Sequence, residues 1–279
     1  MELKYFSGAG NLFTAIDNRN YKLEKSYFSK NALYLTSENH KLPNGTEGII
    51  VLNPVEKNEF DFEVWFFNPD GSSGMMCGNG GRCAINFAHR QNYLKYHNSI
   101  KDLNENNSSY SANFIMNGRI YSGFVDGENT GIFFPPPIEI SDIIELKIED
   151  KIFIGRYVNI GTDHFVVEVE DVLFEDVESN GKKIRFSSNF QPRGVNVNFY
   201  SKQSQNNLII RTYERGVEKE TGACGTGAIS TAIVHNINNK TEKKINLLPT
   251  SKSPLTVELF FDSENNINKI LLSGAVQEI

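Results

Sequence analysis

Two short segments with the same residue pattern stand about half the chain apart. Residues 77–83 read Cys-Gly-Asn-Gly-Gly-Arg-Cys, and residues 224–227 read Cys-Gly-Thr-Gly. Each follows a strand-like run and a polar turn, FFNPDG before the first and RTYERG before the second. The two leading cysteines are 147 residues apart in a chain of 279 residues. A repeat of this length predicts two similar halves rather than a solenoid.

The residues around these segments predict a mixed α+β fold. Short apolar runs, among them 60–67, 164–169 and 207–213, are typical of β-strands, whereas 82–93 and 228–235 predict helices that follow the two cysteines. A polar, breaker-rich segment, 101–111, predicts a loop at a domain boundary. We therefore expect an N-terminal lobe over residues 1–112, which carries Cys77, and a C-terminal lobe over residues 113–273, which carries Cys224.

Composition limits the function classes that are open to the chain. Lys and Arg total 28 and Asp and Glu total 34, and the formal net charge of −6 gives no electrostatic reason to expect nucleic-acid binding. Three cysteines, an odd number, argue against a purely disulfide-linked secreted fold. No apolar run approaches the roughly 20 residues that cross a bilayer, and the N-terminus lacks a signal-peptide core. We expect a cytoplasmic globular protein.

A Cys-Gly-x-Gly sequence at a strand-to-helix turn has a chemical meaning. Glycine lets a ligand approach the main chain. The free N–H groups and the dipole of the helix start favour an anion there, and they lower the pKa of a thiol at that position. One such copy alone favours a structural cysteine. Two copies in matched context favour a pair of catalytic thiols, Cys77 and Cys224.

Two thiols beside one carboxylate pocket suit the inversion of an amino acid without a cofactor. One thiolate removes the α-proton from one face and the other thiol delivers a proton to the opposite face, while helix N–H groups stabilise the charge that develops. Cys83 lacks the matched context and is predicted to lie in the core. The spacing of Cys77, Cys83 and His89 does not fit a zinc site, and no Lys-Ser/Thr pair marks a P-loop, so no metal is expected.

At these motifs the chain resembles the diaminopimelate epimerases, which work without a cofactor. The specific segments are FNPDGSSGMMCGNGGRCAINFA and YERGVEKETGACGTGA. Weaker segments follow in the family's order: SGAGNLFTAIDN, VNIGTDHFV and GKKIRFSSNFQPRGVNVNF. The resemblance implies two pseudo-symmetric lobes, each a curved, mostly antiparallel sheet around a central helix, with the active site in the interlobe cleft. It also implies that residues 274–279 return to the N-terminal lobe, and that the protein forms a homodimer.

The resemblance implies a role for each matching residue. Cys77 and Cys224 would be the acid/base thiols, His164 would support the reacting end, and Arg215 would hold the distal carboxylate in a bidentate contact. The implied substrate-binding residues are Asn11, Asn68, Gly78, Asn79, Thr162, Asn196, Glu214, Arg215, Gly225 and Thr226.

Several of these residues also have a simpler explanation. Asn11 and Asn68 are ordinary turn residues, Glu214 and Arg215 form a dipeptide that is usually a surface ion pair, and His164 fits a structural group in a strand. Asn196 is placed in the middle of a predicted strand, where asparagine is disfavoured, and this favours a functional role.

The chain departs from the family pattern at Leu12, where the family commonly has Asp, and in the segment from YERG to Cys224, which is one residue longer than in many members. Two more departures bear on substrate specificity. Thr162-Asp163 stands where the family has Asn-Pro or Ser-Pro, and residues 43–48 (PNGTEG) replace a Gly-x-Gly-Ala-Asp-Gly segment. These departures leave a second function open, a racemase of another amino acid such as histidine or a lanthionine-like diamino acid. A binding protein without catalysis is a third alternative, which the presence of both cysteines disfavours.

Overall fold

The structure is a computed structural model that describes residues 1–37, 42–56, 59–73, 77–94, 109–240 and 242–279. Within them the chain forms two compact units. The N-terminal unit comprises Met1–Phe133 with Ser273–Ile279, and the C-terminal unit comprises Phe134–Leu272. Among the described residues, no helix has the length and apolar character needed to span a membrane.

Most strands of the N-terminal unit surround one long helix. The strands are β1 (Lys4–Gly8), β2 (Asn11–Asp17), β3 (Ile49–Asn53), β4 (Phe62–Phe67), β5 (Ser109–Met116), β6 (Arg119–Asp126) and β7 (Asn129–Phe134). The helices are α1 (Lys25–Lys30), α2 (Ala32–Thr36) and α3 (Gly78–Arg90). In α3, every residue from Gly78 to Ala88 is buried, and the helix packs against β1, β2, β3 and β6. A helix that is buried all round is a core helix.

The C-terminal unit is built in the same way around a second buried helix. The strands are β8 (Glu139–Ile140), β9 (Ile144–Ile148), β10 (Lys151–Asn159), β11 (Asp163–Glu168), β12 (Asn196–Ser204), β13 (Asn207–Glu214), β14 (Lys219–Thr221), β15 (Lys244–Leu248), β16 (Leu255–Phe261) and β17 (Ile267–Glu278), whose last residues belong to the N-terminal unit. The helices are α4 (Val177–Arg185) and α5 (Gly225–Asn239), and α5 packs against β10–β13 and β16.

The two units repeat one order of strand pairing. In the N-terminal unit β1–β2, β3–β4 and β5–β6 are antiparallel, and β2–β3 and β4–β5 are parallel. In the C-terminal unit β10–β11, β12–β13 and β15–β16 are antiparallel, and β11–β12 and β13–β15 are parallel. In each unit the long helix lies, along the sequence, between the two strands of the second parallel pair: α3 between β4 and β5, and α5 between β13 and β15. The α+β class and the two similar halves predicted from the cysteine repeat are therefore confirmed.

The boundary between the halves lies later than the sequence indicated. The predicted division between residues 112 and 113 falls inside β5, whose residue Phe114 pairs with Phe62 of β4. Because β5, β6 and β7 continue the sheet that surrounds α3, the N-terminal unit extends to Phe133. Residues 101–108 of the predicted loop lie outside the described residues. The last residues, Ser273–Ile279, group with the N-terminal unit, and Phe6 of β1 pairs with Glu278 there.

Three local predictions need correction. The helices begin at Gly78 and Gly225, not at residues 82 and 228, because each cysteine caps its helix directly and the glycines form the first turn. Asn196 is the first residue of β12 and not in its middle. The low strand propensity of asparagine is therefore no argument for a functional role at this position.

Candidate active site

Cys77 is the N-cap of α3. Its Sγ accepts a hydrogen bond from the backbone N–H of Gly80 at 3.4 Å, and its backbone is extended, with φ −96° and ψ 114°. A side chain that accepts from the third helical N–H satisfies one of the four N–H groups that a helix start leaves free. The sulfur therefore lies where a helix favours negative charge, half-buried and without a disulfide.

A chain of amide contacts leads from the surface of the N-terminal unit to a buried cation. Asn11 donates from Nδ2 to the Glu47 carboxylate and accepts at Oδ1 from Asn79 Nδ2 at 2.7 Å. Asn79 Oδ1 in turn accepts from Arg82 Nη2 at 3.0 Å. The contacts bring together two of the predicted substrate-binding residues, Asn11 and Asn79, and they hold both amide groups in fixed orientations.

Arg82 is fully buried in α3, an uncommon place for a guanidinium group. Its Nε and Nη1 have no hydrogen-bond partner among the described residues. Burial lowers the pKa of Arg82 to about 10, partly offset by the neighbouring Cys83 and Cys77 thiols. Sequence reasoning missed this residue, because arginine in a predicted helix is normally assigned to a solvated face.

Three other residues singled out from the sequence lie in this unit: Gly78, Asn68 and Cys83. Gly78 is the first residue of α3 and is buried. Asn68 follows β4 in the turn, where its Nδ2 donates to Ser72 Oγ at 2.9 Å. Cys83 is fully buried, as predicted, and burial raises the pKa of its thiol far above the ordinary value.

Cys224 caps α5 in the same way as Cys77 caps α3. Its Sγ accepts from the backbone N–H of Gly227 at 3.3 Å, with φ −114° and ψ 113°. Thr226 Oγ1 lies 3.5 Å from the same sulfur. Gly225 and Thr226 are buried in the first turn of the helix, so this unit too presents a thiol at a helix start.

His164 connects this helix start to the sheet. Asn198 donates from Nδ2 to Thr212 Oγ1 at 2.8 Å, which leaves its Oδ1 to accept from His164 Nδ1 at 2.8 Å. The other ring nitrogen, Nε2, then accepts from the hydroxyls of Thr162 at 2.9 Å and Thr226 at 3.1 Å. The structure thus brings together the predicted residues His164, Thr162 and Thr226 with Cys224.

His164 is neutral at physiological pH. The side chain is fully buried, and burial lowers its pKa to about 4, although the hydrogen bond to Asn198 opposes this. Asn198 was not predicted. Its place in the motif RGVNVNF, two residues after Asn196 and on the same face of β12, was the available signal.

Asn196 of β12 pairs with His164 of β11 in the sheet, and Asp163 contacts both Asn196 and Arg215. Asn196 accepts at Oδ1 from the backbone N–H of Arg215 at 2.9 Å, and its Nδ2 donates to the backbone carbonyl of Asp163 at 3.0 Å. Arg215 Nη1 donates to Asp163 Oδ2 at 2.9 Å. Glu214 accepts from Thr221 Oγ1 at 2.9 Å.

Comparisons with known proteins identify the family of the chain. The sequence profile described as diaminopimelate epimerase matches residues 5–104 and 156–276. Diaminopimelate epimerase from Aquifex aeolicus is 34% identical, over 100% of this chain and 96% of the relative. The enzyme of the same name from Flavobacterium psychrophilum is 32% identical, over 99% of this chain and 97% of the relative.

Solved structures share the fold at much lower sequence identity. A phenazine biosynthesis protein of the PhzF family from Bacillus anthracis has a TM-score of 0.72 at 13% identity, covering 100% of this chain and 98% of that one. A probable proline racemase from Agrobacterium radiobacter K84 has a TM-score of 0.68 at 12% identity, covering 99% and 90%. At these identities the likeness concerns the fold alone. The family assignment depends on the profile, which spans both cysteine-capped helices, and on the two full-length relatives. The chain therefore belongs to the diaminopimelate epimerase family.

Proposed function

We propose that this protein is an isomerase that converts LL-diaminopimelate to meso-diaminopimelate by inverting one α-carbon without a cofactor. Membership of the family supports the substrate and the reaction. The observation that carries the proposal is that two thiols, those of Cys77 and Cys224, each cap a buried helix through the sulfur. The reaction serves lysine and peptidoglycan precursor synthesis.

The proposed chemistry transfers one proton at each thiol. A thiolate takes the α-proton, the Cα–H bond electrons remain on the substrate, and the thiol of the other cysteine gives its proton to the opposite face of the same carbon. Each cycle leaves the two cysteines with exchanged protonation states, so the reverse reaction uses them in the opposite order. The substrate loses one proton and gains one proton and exchanges no electrons, so its oxidation state does not change and no redox cofactor enters the balance.

Backbone N–H groups would hold the α-carboxylate while charge moves into it. The helix starts offer them at Gly78 and Asn79 and at Gly225 and Thr226, where the dipole also favours an anion. Donors fixed by folding stabilise developing charge without reorganising during the reaction, and this is typically the largest electrostatic contribution to such catalysis.

The neutral His164 would tune the thiol of Cys224 through Thr226. Its Nε2 accepts from the threonine hydroxyl, whose oxygen lies next to the sulfur. The hydroxyl has one proton, so Thr226 accepts from the thiol while it donates to Nε2. It donates to the thiolate only by turning away from Nε2, which Thr162 still satisfies. His164 then acts as a positioning group that holds Thr226, with Thr162 as its second hydroxyl partner.

Arg215 would bind the distal carboxylate of the substrate. Its Nη1 is engaged by protein acceptors, whereas Nε and Nη2 make no hydrogen bond to another residue in the described part of the chain. That free edge has the geometry of a bidentate carboxylate contact. Asn11, Asn68, Asn79, Asn196 and Glu214 complete the proposed substrate-binding set. We further propose a cytoplasmic homodimer, which light scattering of the purified protein tests.

A second candidate is a racemase of another amino acid by the same chemistry. It is favoured by Thr162 and Asp163, which depart from the family pattern next to His164. A panel of L-amino acids, assayed for exchange of the α-proton with solvent, separates the two. Exchange at histidine or lanthionine with none at diaminopimelate would favour the second candidate, and no exchange at any of them would favour a binding protein.

The direct test is deuterium incorporation at the α-carbon of LL-diaminopimelate in deuterated water under reducing conditions. We expect wild-type protein to incorporate deuterium and form the meso isomer. Cys77→Ala and Cys224→Ala should each lower epimerisation by at least about 100-fold, the usual scale of a lost acid/base group. Cys83→Ala is the matched control because Cys83 is a buried core thiol, and it should retain activity. Full activity in either of the first two variants contradicts the two-thiol mechanism.

A further inference from the structure

Asp163 is the buried carboxylate at the centre of a cluster that family resemblance did not anticipate. Its side chain is only 8% exposed, and both oxygens are engaged. Oδ2 accepts from Arg215 Nη1 at 2.9 Å, and Oδ1 accepts from Tyr157 Oη at 2.6 Å and pairs with Arg193 Nη2 at 3.2 Å. Partial burial works to raise the pKa of Asp163, but Tyr157, Arg215 and Arg193 together hold it below its ordinary value. The group is therefore a carboxylate at neutral pH.

The contact with Asp163 fixes one half of the Arg215 guanidinium group. Nη1 donates to the carboxylate and also faces the backbone carbonyls of Gly194 at 3.1 Å and Arg193 at 3.4 Å. The guanidinium group is planar, so fixing Nη1 by three acceptors also fixes the direction of the Nε and Nη2 edge. A guanidinium group oriented in advance loses less conformational entropy when a carboxylate binds.

The main chain of Asp163 holds the second residue of the same clamp. Its carbonyl accepts from Asn196 Nδ2, while Asn196 Oδ1 accepts from the N–H of Arg215. Asp163 thus reaches Arg215 through its side chain and Asn196 through its backbone. These contacts form a closed set of three residues, so a shift of Asp163 would displace both of the others.

The position of Asp163 in the chain links the two ends of the proposed substrate site. Side chains alternate along an extended strand, so Asp163 points away from the face that carries Thr162 and His164. His164 contacts Thr226 at the helix start of Cys224 and Thr162 contacts the His164 ring, whereas Asp163 contacts the arginine clamp. One short segment at the start of β11 therefore supports both the reacting end and the distal end.

Arg215 shares its carboxylate partner with a second arginine. In the ion pairs that the structure describes, both Arg215 and Arg193 contact Asp163. Arg193 is 69% exposed, so solvent screens its pairing with Asp163 more strongly than that of Arg215. The charges of these three groups sum to one positive charge, which favours a carboxylate at the Nε and Nη2 edge of Arg215.

We propose that Asp163 is a positioning residue that orients Arg215 and Asn196 to receive a carboxylate at the distal end of the substrate. The inference depends on the proposed function and deepens it, because it restricts the substrate to amino acids that carry a second carboxylate. The substitution of the family's proline by Asp163 then changes the means of building the clamp and keeps its specificity.

The test is a steady-state comparison of Asp163→Asn with wild type on LL-diaminopimelate. The asparagine keeps the shape but loses the charged hydrogen bond to Arg215, a contact of the class whose loss costs about 10-fold or more in binding. We expect KM to rise at least about 10-fold while kcat changes by less than about 3-fold. Glu139→Gln is the matched control. Glu139 and Asp163 line one cavity, and the substitution of Glu139 should leave KM and kcat unchanged.

A second variant keeps the proposal falsifiable if Asp163→Asn fails to fold. Tyr157→Phe removes one donor to the carboxylate Oδ1 and leaves the Arg215 contact in place, so KM should rise by less than in Asp163→Asn, by about 2- to 5-fold. An unchanged KM in both variants, or a lower KM in Asp163→Asn, would overturn the proposal, since a lower KM means that Asp163 competes with the ligand. Absence of wild-type activity on LL-diaminopimelate would instead refute the proposed function.

Discussion

The helix starts at Cys77 and Cys224 have the same backbone conformation and differ in the side chains that surround them. Both sulfurs accept from the third helical N–H, at 3.4 and 3.3 Å. Five residues further on, the N-terminal unit has the buried cation Arg82, whereas the C-terminal unit has the apolar Ile229. The repeat therefore preserves the main-chain geometry and varies the electrostatics around the two thiols.

The polar contacts next to the two thiols differ as well. In the N-terminal unit a chain of amides joins Glu47, Asn11 and Asn79 to the charged Arg82. In the C-terminal unit the network of Thr226, His164 and Asn198 carries no charge, because His164 is neutral. The comparison shows that the same type of helix cap occurs in two different thiol environments.

The largest difference in activity between variants of the two units should appear when a glycine in the first turn of each long helix is replaced by alanine. A Cβ at Gly227 would lie 2.3 Å from Asn198 Nδ2, in an amide held by both His164 and Thr212. A Cβ at Gly80 would meet the ring of Phe66 at 2.9 Å, and a ring edge moves more easily. We expect Gly227→Ala to lower kcat by about 100-fold and the free energy of unfolding by about 2 kcal/mol.

Gly80→Ala is the matched variant, and it should lower kcat by less than about 10-fold. Turnover of diaminopimelate and urea unfolding measure both effects. Equal losses in the two variants would mean that the network behind Cys224 has no special rigidity, and the comparison between the units would fail there.

A smaller, more selective effect is expected from Arg82→Met, which removes the buried positive charge and keeps most of the side-chain volume. The thiolate of Cys77 would lose a favourable charge from its own helix. We expect alkylation of Cys77 by iodoacetamide at neutral pH to slow about 10-fold, while alkylation of Cys224 does not change. Mass spectrometry of the two cysteine peptides gives both rates in one experiment. Ile229→Met is the control, and equal slowing of both cysteines by Arg82→Met would contradict the assignment.

The last difference concerns the pH dependence of stability. The pKa of His164 is about 4 in the folded protein and about 6.5 in an unfolded chain. Between these values the unfolded chain binds a proton that the folded protein does not, so stability falls as pH decreases from about 6.5 towards 4. The contribution is on the order of 3 kcal/mol, at 1.36 kcal/mol for each pKa unit.

Urea unfolding of wild type and His164→Gln at pH 7 and pH 4.5 measures this contribution. The wild type should lose more free energy of unfolding than the variant over this interval. His89→Gln offers a control in the N-terminal unit, since burial lowers the pKa of the half-buried His89 less, and it should keep most of the wild-type pH dependence. Parallel pH profiles for wild type and His164→Gln would show that His164 does not titrate as the burial predicts.

Much of the fold was predictable, because the signals are local. A cysteine followed by glycines after a strand and a polar turn specifies a capped helix start, and two copies at half the chain length specify two similar halves. The burial of Cys83 was predictable from its apolar neighbours. The lobe boundary was not, because the polar segment 101–111 resembles a linker, whereas membership of β5 in the first sheet depends on its pairing with β4.

Residue types in a pattern determined the chemistry that we propose for this protein: two thiols at two helix starts, and a guanidinium group with an asparagine for a carboxylate. Only the tertiary structure decided how these groups are held. Arg82 is a cation in the core because its helix is enclosed by strands on several sides. Asp163 contacts Arg215, and Asn198 contacts His164 Nδ1, because the fold brings together residues that lie 52 and 34 positions apart. Burial and pairing of this kind depend on distances between remote segments, and no local pattern encodes them.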